Sequence, residues 1–362
     1  MKKYYAIVIL LMLVINGYSQ TQNVNVSVDP RIELLSVILS TSDYDSIVVS
    51  KGSFHLITQF DFEYKNDLLA TFHDSEKDPV VSTFMNLAYN YGFIFAMPFI
   101  ACLCSDDLPD LAINKPLPEM LTKRSGGLKN LNSFLNDLSK FNKTWDFTAF
   151  MDKHKNYYSN ILQSVRKYPI DRFVDQIEQY YGTSQAGYNI ILASMIHPGG
   201  YGPNITDSLG NNHIYSIIGP KGISNGLPTF GSEEEFKYVI WHEFSHSFIN
   251  PLVDSYYTDF EKYKSLLDPI KDKMVKHNSG DWNTCIAEHI VRAVTVRLAY
   301  LFEGEKAGEE AMKMETDQGF IYVKEICNRL KIFESDRAKY KTFQDFMPEI
   351  VYVFESLSEN GS

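Results

Sequence analysis

Apolar residues recur at helical spacing along most of this chain. In "PRIELLSVILS", Ile32, Leu35, Ile38 and Leu39 fall on one face, with Pro30 at the first helical position. The alternation in "NVNVSV" just before it predicts a short strand. Residues 54–107 carry several more apolar helices, one of them opened by Asp78-Pro79. The proline-rich, polar stretch 108–126 predicts a crossing loop or a weak subdomain boundary. Helical patterning returns from Leu128 to about Tyr181, with a break near Pro169. The texture then changes. "GYNIILASMI" and "HIYSIIG" are β-rich, and "HPGGYGPNITDSLGNN" between them is dense in turn formers. This predicts two strands joined by a long hairpin loop. Ser232 with Glu235 forms a capping-box pattern that opens a helix, and Pro251 marks its end. Further helices are expected over 255–276 with a kink at Pro269, in "NTCIAEHIVRAVTVRLAYLFEG", and around 317–331 and 341–356. The fold class expected is α+β, mostly α-helical, with a small antiparallel or mixed sheet preceding the helix that starts at Ser232.

The first residues, "MKKYYAIVILLMLVINGYSQTQ", follow a different logic. Lys2 and Lys3 precede an apolar run from Ala6 to Ile15, and small residues follow around Gly17 and Ser19. This is the layout of a secretory signal peptide over 1–19, with an apolar core too short to span a bilayer. The mature chain is then expected outside the cytoplasm, secreted or periplasmic. Its expected organisation is a mainly helical region over 20–126 and a catalytic region over 127–362, or one continuous domain from 20 to 362. No later segment predicts a membrane span; "YGFIFAMPFIACLC" at 91–104 is short, is interrupted by Pro98, and reads as core. Composition narrows the partners. With 44% hydrophobic residues the 362-residue chain can bury a sizeable core, and a formal net charge of −11 gives no footprint for nucleic acid. Cys102, Cys104, Cys285 and Cys327 have no metal-knuckle spacing and are expected as buried thiols.

Candidate chemistry concentrates in "FKYVIWHEFSHSFINP", residues 236–251. Polar groups in so apolar a run need partners. On a helix His242 and His246 are four apart and share a face, so their imidazoles can hold one divalent ion such as zinc. Glu243 lies beside that ion rather than on it, where a carboxylate can take a proton from a water acidified by the metal. A third protein ligand is needed. Ile249 and Leu252 stand where an extended HExxHxxGxxH signature would be completed, so the ligand comes from another segment. Asp254, Asp259, Glu261 and Asp268 lie on polar faces. Glu288, within the apolar "CIAEHIVRAV", is the better choice, and Arg292 at i+4 can pair with it. His289 is the rival, about 100° around the helix. Acyl transfer also needs a donor for a developing oxyanion, and the candidates are Tyr256, Tyr257, His213 and Tyr201. "HIYSIIG" is a candidate exposed edge for an extended peptide.

The helix-borne HEFSH, the sheet before it and the downstream Glu288 resemble the gluzincin type of zincin metallopeptidase. The stretches "HEFSHSFINP", "AEHIVRAV" and "FMDKHKNYY" are similar to an uncharacterised family of secreted bacterial proteins known only as a domain of unknown function. The zincin resemblance implies a zincin-like core, zinc held by His242, His246 and Glu288, Glu243 as general base, and hydrolysis of a peptide or protein substrate. The spacing to Glu288 is longer than in thermolysin-like enzymes. Two other functions fit the same residues: an amidase acting on a non-peptide or cell-wall amide, and a non-catalytic protein stabilised by its metal.

Overall fold

The β-rich segments assemble into sheets whose connectivity differs from a simple hairpin. The computed structural model describes residues 24–50 and 55–360, so the expected leader lies outside the described residues. Its strands are β1 (Val24–Ser27), β2 (Gly187–Leu192), β3 (Gly199–Tyr201), β4 (Asn204–Thr206), β5 (Asn212–Gly219), β6 (Gly222–Ser224) and β7 (Leu227–Thr229). β1, β2 and β5 run parallel in that order, and β3 and β4 both pair antiparallel with the far side of β5. β2 and β5 are thus neighbours in parallel, with Tyr188 opposite Ile214 and Ile191 opposite Ile217, and not two arms of a hairpin.

The turn-rich stretch between them supplies the edge. β3 and β4 keep a single register on β5, with Gly199 opposite Gly219 and Thr206 opposite Asn212. Pro203, between them, still accepts a bond from the Tyr215 N–H at 2.9 Å through its carbonyl. A residue's N–H and C=O point the same way in a strand, so Pro203 removes the reciprocal bond to Tyr215, and the pairing lapses there between β3 and β4. "HIYSIIG" is therefore an interior strand, which corrects its expected role as a free edge. Its run Ser216–Gly219 is buried throughout, as suits a strand covered on both faces. β6 and β7 form a separate hairpin whose Asn225-Gly226 turn takes positive φ at both residues.

The HEFSH helix runs Glu233–Ser255, four residues past the proline expected to end it. Its start is fixed as predicted: the Ser232 side chain accepts from the Glu235 N–H, and Glu235 accepts from the Ser232 N–H at 2.8 Å. Three glutamates in the first turn suit the positive end of the helix dipole. Pro251 falls in the second-last turn, so only the Ser247 carbonyl loses its helical donor there. The helix is apolar on every side because it is wedged between the sheet, the helix Ile170–Tyr181 and the helix Trp282–Phe302. The last of these carries Glu288, and its Asp281 cap accepts from the Thr284 N–H at 3.0 Å.

Three helices close the chain, Glu305–Asp317, Val323–Ser335 and Phe343–Asn360, where two were expected. The first of them is the addition. The N-terminal helices pack around Pro30–Thr41, whose Asp29 cap accepts from the Arg31 N–H. Buried apolar side chains from Ile32 to Phe354 form one contiguous cluster. The protein is α+β, mostly helical, with a small mixed sheet, and its four cysteines are buried and unbridged. Among the described residues no helix is long and apolar enough to cross a membrane.

Candidate metal centre

Two helices bring the predicted ligands together. His242 and His246 project from adjacent turns of Glu233–Ser255, their rings nearly perpendicular at 82°. Their Nε2 atoms face each other 3.2 Å apart. Glu288, from Trp282–Phe302, places Oε1 3.3 Å from His246 Nε2 and Oε2 3.8 Å from His242 Nε2. Two ligands each 2.0–2.1 Å from a common tetrahedral ion are about 3.3–3.4 Å apart. The observed separations bracket that edge length, and one candidate ligand atom from each residue lies within 4.8 Å of the others. The three side chains are 14–15% exposed, enough for a centre that solvent reaches from one side.

Two of the three candidate ligands, His246 and Glu288, have an orienting partner. His246 Nδ1 lies 3.3 Å from Asn250 Oδ1, which leaves Nε2 directed at the centre. Arg292 Nε donates to Glu288 Oε2 at 3.0 Å, and its Nη1 donates to Glu315 Oε2 at 2.5 Å. The Arg292 guanidinium lies 3.8 Å over the Phe320 ring. Tyr238 Oη donates to the other oxygen of Glu315 at 2.7 Å.

Burial and charge act in opposite directions across the group. Burial pushes the His242 imidazole well below its ordinary range. It opposes charge on His246 as well, yet Glu288 and Glu243 outweigh it and lift that imidazole to about 9. Burial also disfavours charge on Glu288, but Arg292 and His246 hold its carboxyl well below the usual range. Glu243 is 7% exposed, and burial lifts its carboxyl to about 7. Two imidazoles and a carboxylate at these separations are a donor set that fits a divalent ion such as zinc.

The edge strand lies directly on Glu243. A Cβ on Gly200 would stand 3.1 Å from Glu243 Oε1, and one on Gly202 would stand 2.2 Å from the Glu243 carbonyl oxygen. The two glycines let the backbone of the strand touch the helix where the carboxylate emerges.

Other candidates are placed elsewhere. His289 points away from the centre: its Nδ1 contacts the Cys285 carbonyl at 2.8 Å and its ring packs on Phe320 and Tyr322. Burial pushes that imidazole down to about 4. His213 is engaged with Asp207 at 3.2 Å in the β4–β5 loop. Tyr256 caps the HEFSH helix ten residues beyond His246, about 15 Å along its axis, and Tyr257 follows it and is exposed. The structure thus does not gather Tyr256, Tyr257 or His213 at the centre. Tyr201 sits nearer, stacked on Phe99 at 5.0 Å and edge-on to His197; burial above all, then Tyr44 and Glu243, raises its hydroxyl pKa. Glu315 was missed because it lies in "AMKMETD", a stretch whose polarity reads as solvated surface. Gly200 and Gly202 were missed because "HPGGYGPN" reads as a loop.

Fold and site together define a mostly helical α+β protein with a His-His-Glu cluster suited to a cation and a buried glutamate beside it. A family model described as a domain of unknown function, DUF4932, matches residues 24–353, and the chain belongs to that family. No curated protein and no solved structure matches it.

Proposed function

We propose that this protein is a secreted zinc-dependent metallopeptidase that cleaves peptide bonds in a peptide or protein substrate. The observation that carries the reading is the convergence of His242, His246 and Glu288 at 3.2–3.8 Å with Glu243 adjacent. Those three side chains would hold the ion. When bound, zinc would supply Lewis acidity that polarises a carbonyl and acidifies a water. Glu243 takes the proton of that water on its carboxylate and passes it to the leaving amine. Without the ion, burial lifts that carboxyl to about 7. Asn250 and Arg292 keep His246 and Glu288 in their ligating orientations.

A peptide substrate is favoured by the edge strand. The outer side of β3 carries no strand partner among the described residues, and an extended peptide added there passes Glu243 at Gly200. The leader-like layout of residues 1–19, with Lys2 and Lys3 before the apolar run Ala6 to Ile15, supports export. Purified protein is expected to hold close to one zinc per chain. On a diverse peptide library, Glu243→Gln is expected to keep the zinc and lose at least about 100-fold in hydrolysis. A wild-type preparation that takes up no zinc, or a Glu243→Gln variant with undiminished turnover, overturns the proposal.

A further inference from the structure

Glu315 takes no part in the chemistry proposed above, yet its carboxylate is 0% exposed. A charge at that depth requires partners, and a buried ion pair contributes little net stability compared with apolar packing of the same volume. The identity of its partners suggests another role. Arg292 lies four residues after Glu288, one turn along the same helix, and donates to Glu315 at 2.5 Å. Tyr238 lies four residues before His242, one turn along the other helix, and donates to the second oxygen at 2.7 Å. Glu315 itself belongs to a third helix, Glu305–Asp317, which supplies no ligand. One carboxylate thus spans both ligand-bearing helices, each at a single turn's remove from its ligand.

We infer that Glu315 is a positioning residue that sets the register between these two helices, so that His242, His246 and Glu288 meet at one point. Its role in metal binding rests on the zinc reading; its effect on side-chain geometry does not. A hydrogen bond to each helix fixes their relative slide, which apolar packing leaves softer. The ligand set needs that restraint, because metal–ligand distances tolerate only about ±0.2 Å. Phe320, under the Arg292 guanidinium, keeps the link out of water.

The test uses Glu315→Gln, which removes the charge that holds Arg292, and Tyr238→Phe, which removes one hydroxyl and keeps the ring. Glu310→Gln, on an exposed face of the same helix, is the control. Zinc affinity is measured by chelator competition at a temperature where melting curves show each variant folded. Glu315→Gln is expected to bind zinc about 10- to 100-fold more weakly, as loss of an outer partner does. Tyr238→Phe is expected to change affinity in the same direction by less, and Glu310→Gln not at all. Two readouts separate positioning from plain stability: the visible spectrum of the cobalt-loaded protein, and the imidazole resonances of His242 and His246 without metal. Both are expected to shift in Glu315→Gln. Affinities within twofold of wild type and superimposable resonances in both variants overturn the inference. If wild type binds no divalent ion, the zinc reading fails by itself, and the register claim is decided by the resonances of the metal-free protein.

Discussion

Gly202 and Glu243 meet backbone to backbone: a methyl group on Gly202 would lie 2.2 Å from the Glu243 carbonyl oxygen. Neither atom can yield cheaply, since Gly202 lies in the two-residue link between β3 and β4, both held on β5, and Glu243 lies in a helix interior. Gly202→Ala is therefore expected to push the edge strand off the helix and to destabilise the protein by about 1–3 kcal/mol, the usual range for overpacking. Thermal melting checks this, and a melt superimposable on wild type would mean that the strand lifts freely.

The ligand assignment separates two neighbouring residues. Glu288→Ala is expected to weaken zinc binding by more than the roughly 100-fold limit for outer partners. His289→Leu, at a side chain directed toward Phe320 and Tyr322, is expected to leave affinity nearly unchanged. Titration of both variants decides it, and the reverse order of losses would make His289 the ligand.

Zinc uptake should be coupled to protons. With His246 lifted to about 9 and His242 held well below its ordinary range, the metal-free site carries a proton on His246 at neutral pH. The ion must displace it. Apparent affinity is therefore expected to fall about tenfold per pH unit as pH drops from 9 toward 7. Calorimetry in buffers of different ionisation enthalpy is expected to register about one proton released per zinc near neutrality. Affinity that does not vary with pH across that interval would refute the coupling.

Away from the centre, Glu33 is 1% exposed, and burial lifts its carboxyl to about 7, although the Tyr64 hydroxyl that donates to it pulls the other way. Tyr64 is itself 2.9 Å from the Tyr158 hydroxyl. The folded chain holds this proton more tightly than the unfolded one. The stabilising contribution is complete below about 4.5 and is lost as pH rises to about 7. Denaturant midpoints at pH 5 and pH 8 are expected to differ less in Glu33→Gln than in wild type. An equal difference in both proteins would show that Glu33 carries no such linkage.

Much of this was legible in the residues. The capping box at Ser232 and the four-residue spacing of His242 and His246 are local signals, and local signals determine a helix and its faces. Glu288 could be singled out because a bare carboxylate in "CIAEHIVRAV" is costly. Strand order was not legible. The β-rich segments at 187–192 and 212–219 have the spacing of a hairpin, and only pairing across the chain, with β1 on one side and β3–β4 on the other, shows them to be parallel. Pro251 misled in the same way, because the packing around the HEFSH helix outweighs the loss of one backbone bond. Glu315 left no trace, since a buried glutamate on a polar helix looks like an exposed one until its partners are placed.

The pairing of β1 with β2 has a consequence for how the molecule is made. Val24 lies beside Tyr188, so the sheet joins segments about 160 residues apart, a high contact order that slows folding. Synthesis proceeds from the N-terminus, so the first strand waits for about half of the 362-residue polypeptide to emerge before it finds its neighbour. Until then the sheet that backs the HEFSH helix lacks its outer parallel strand.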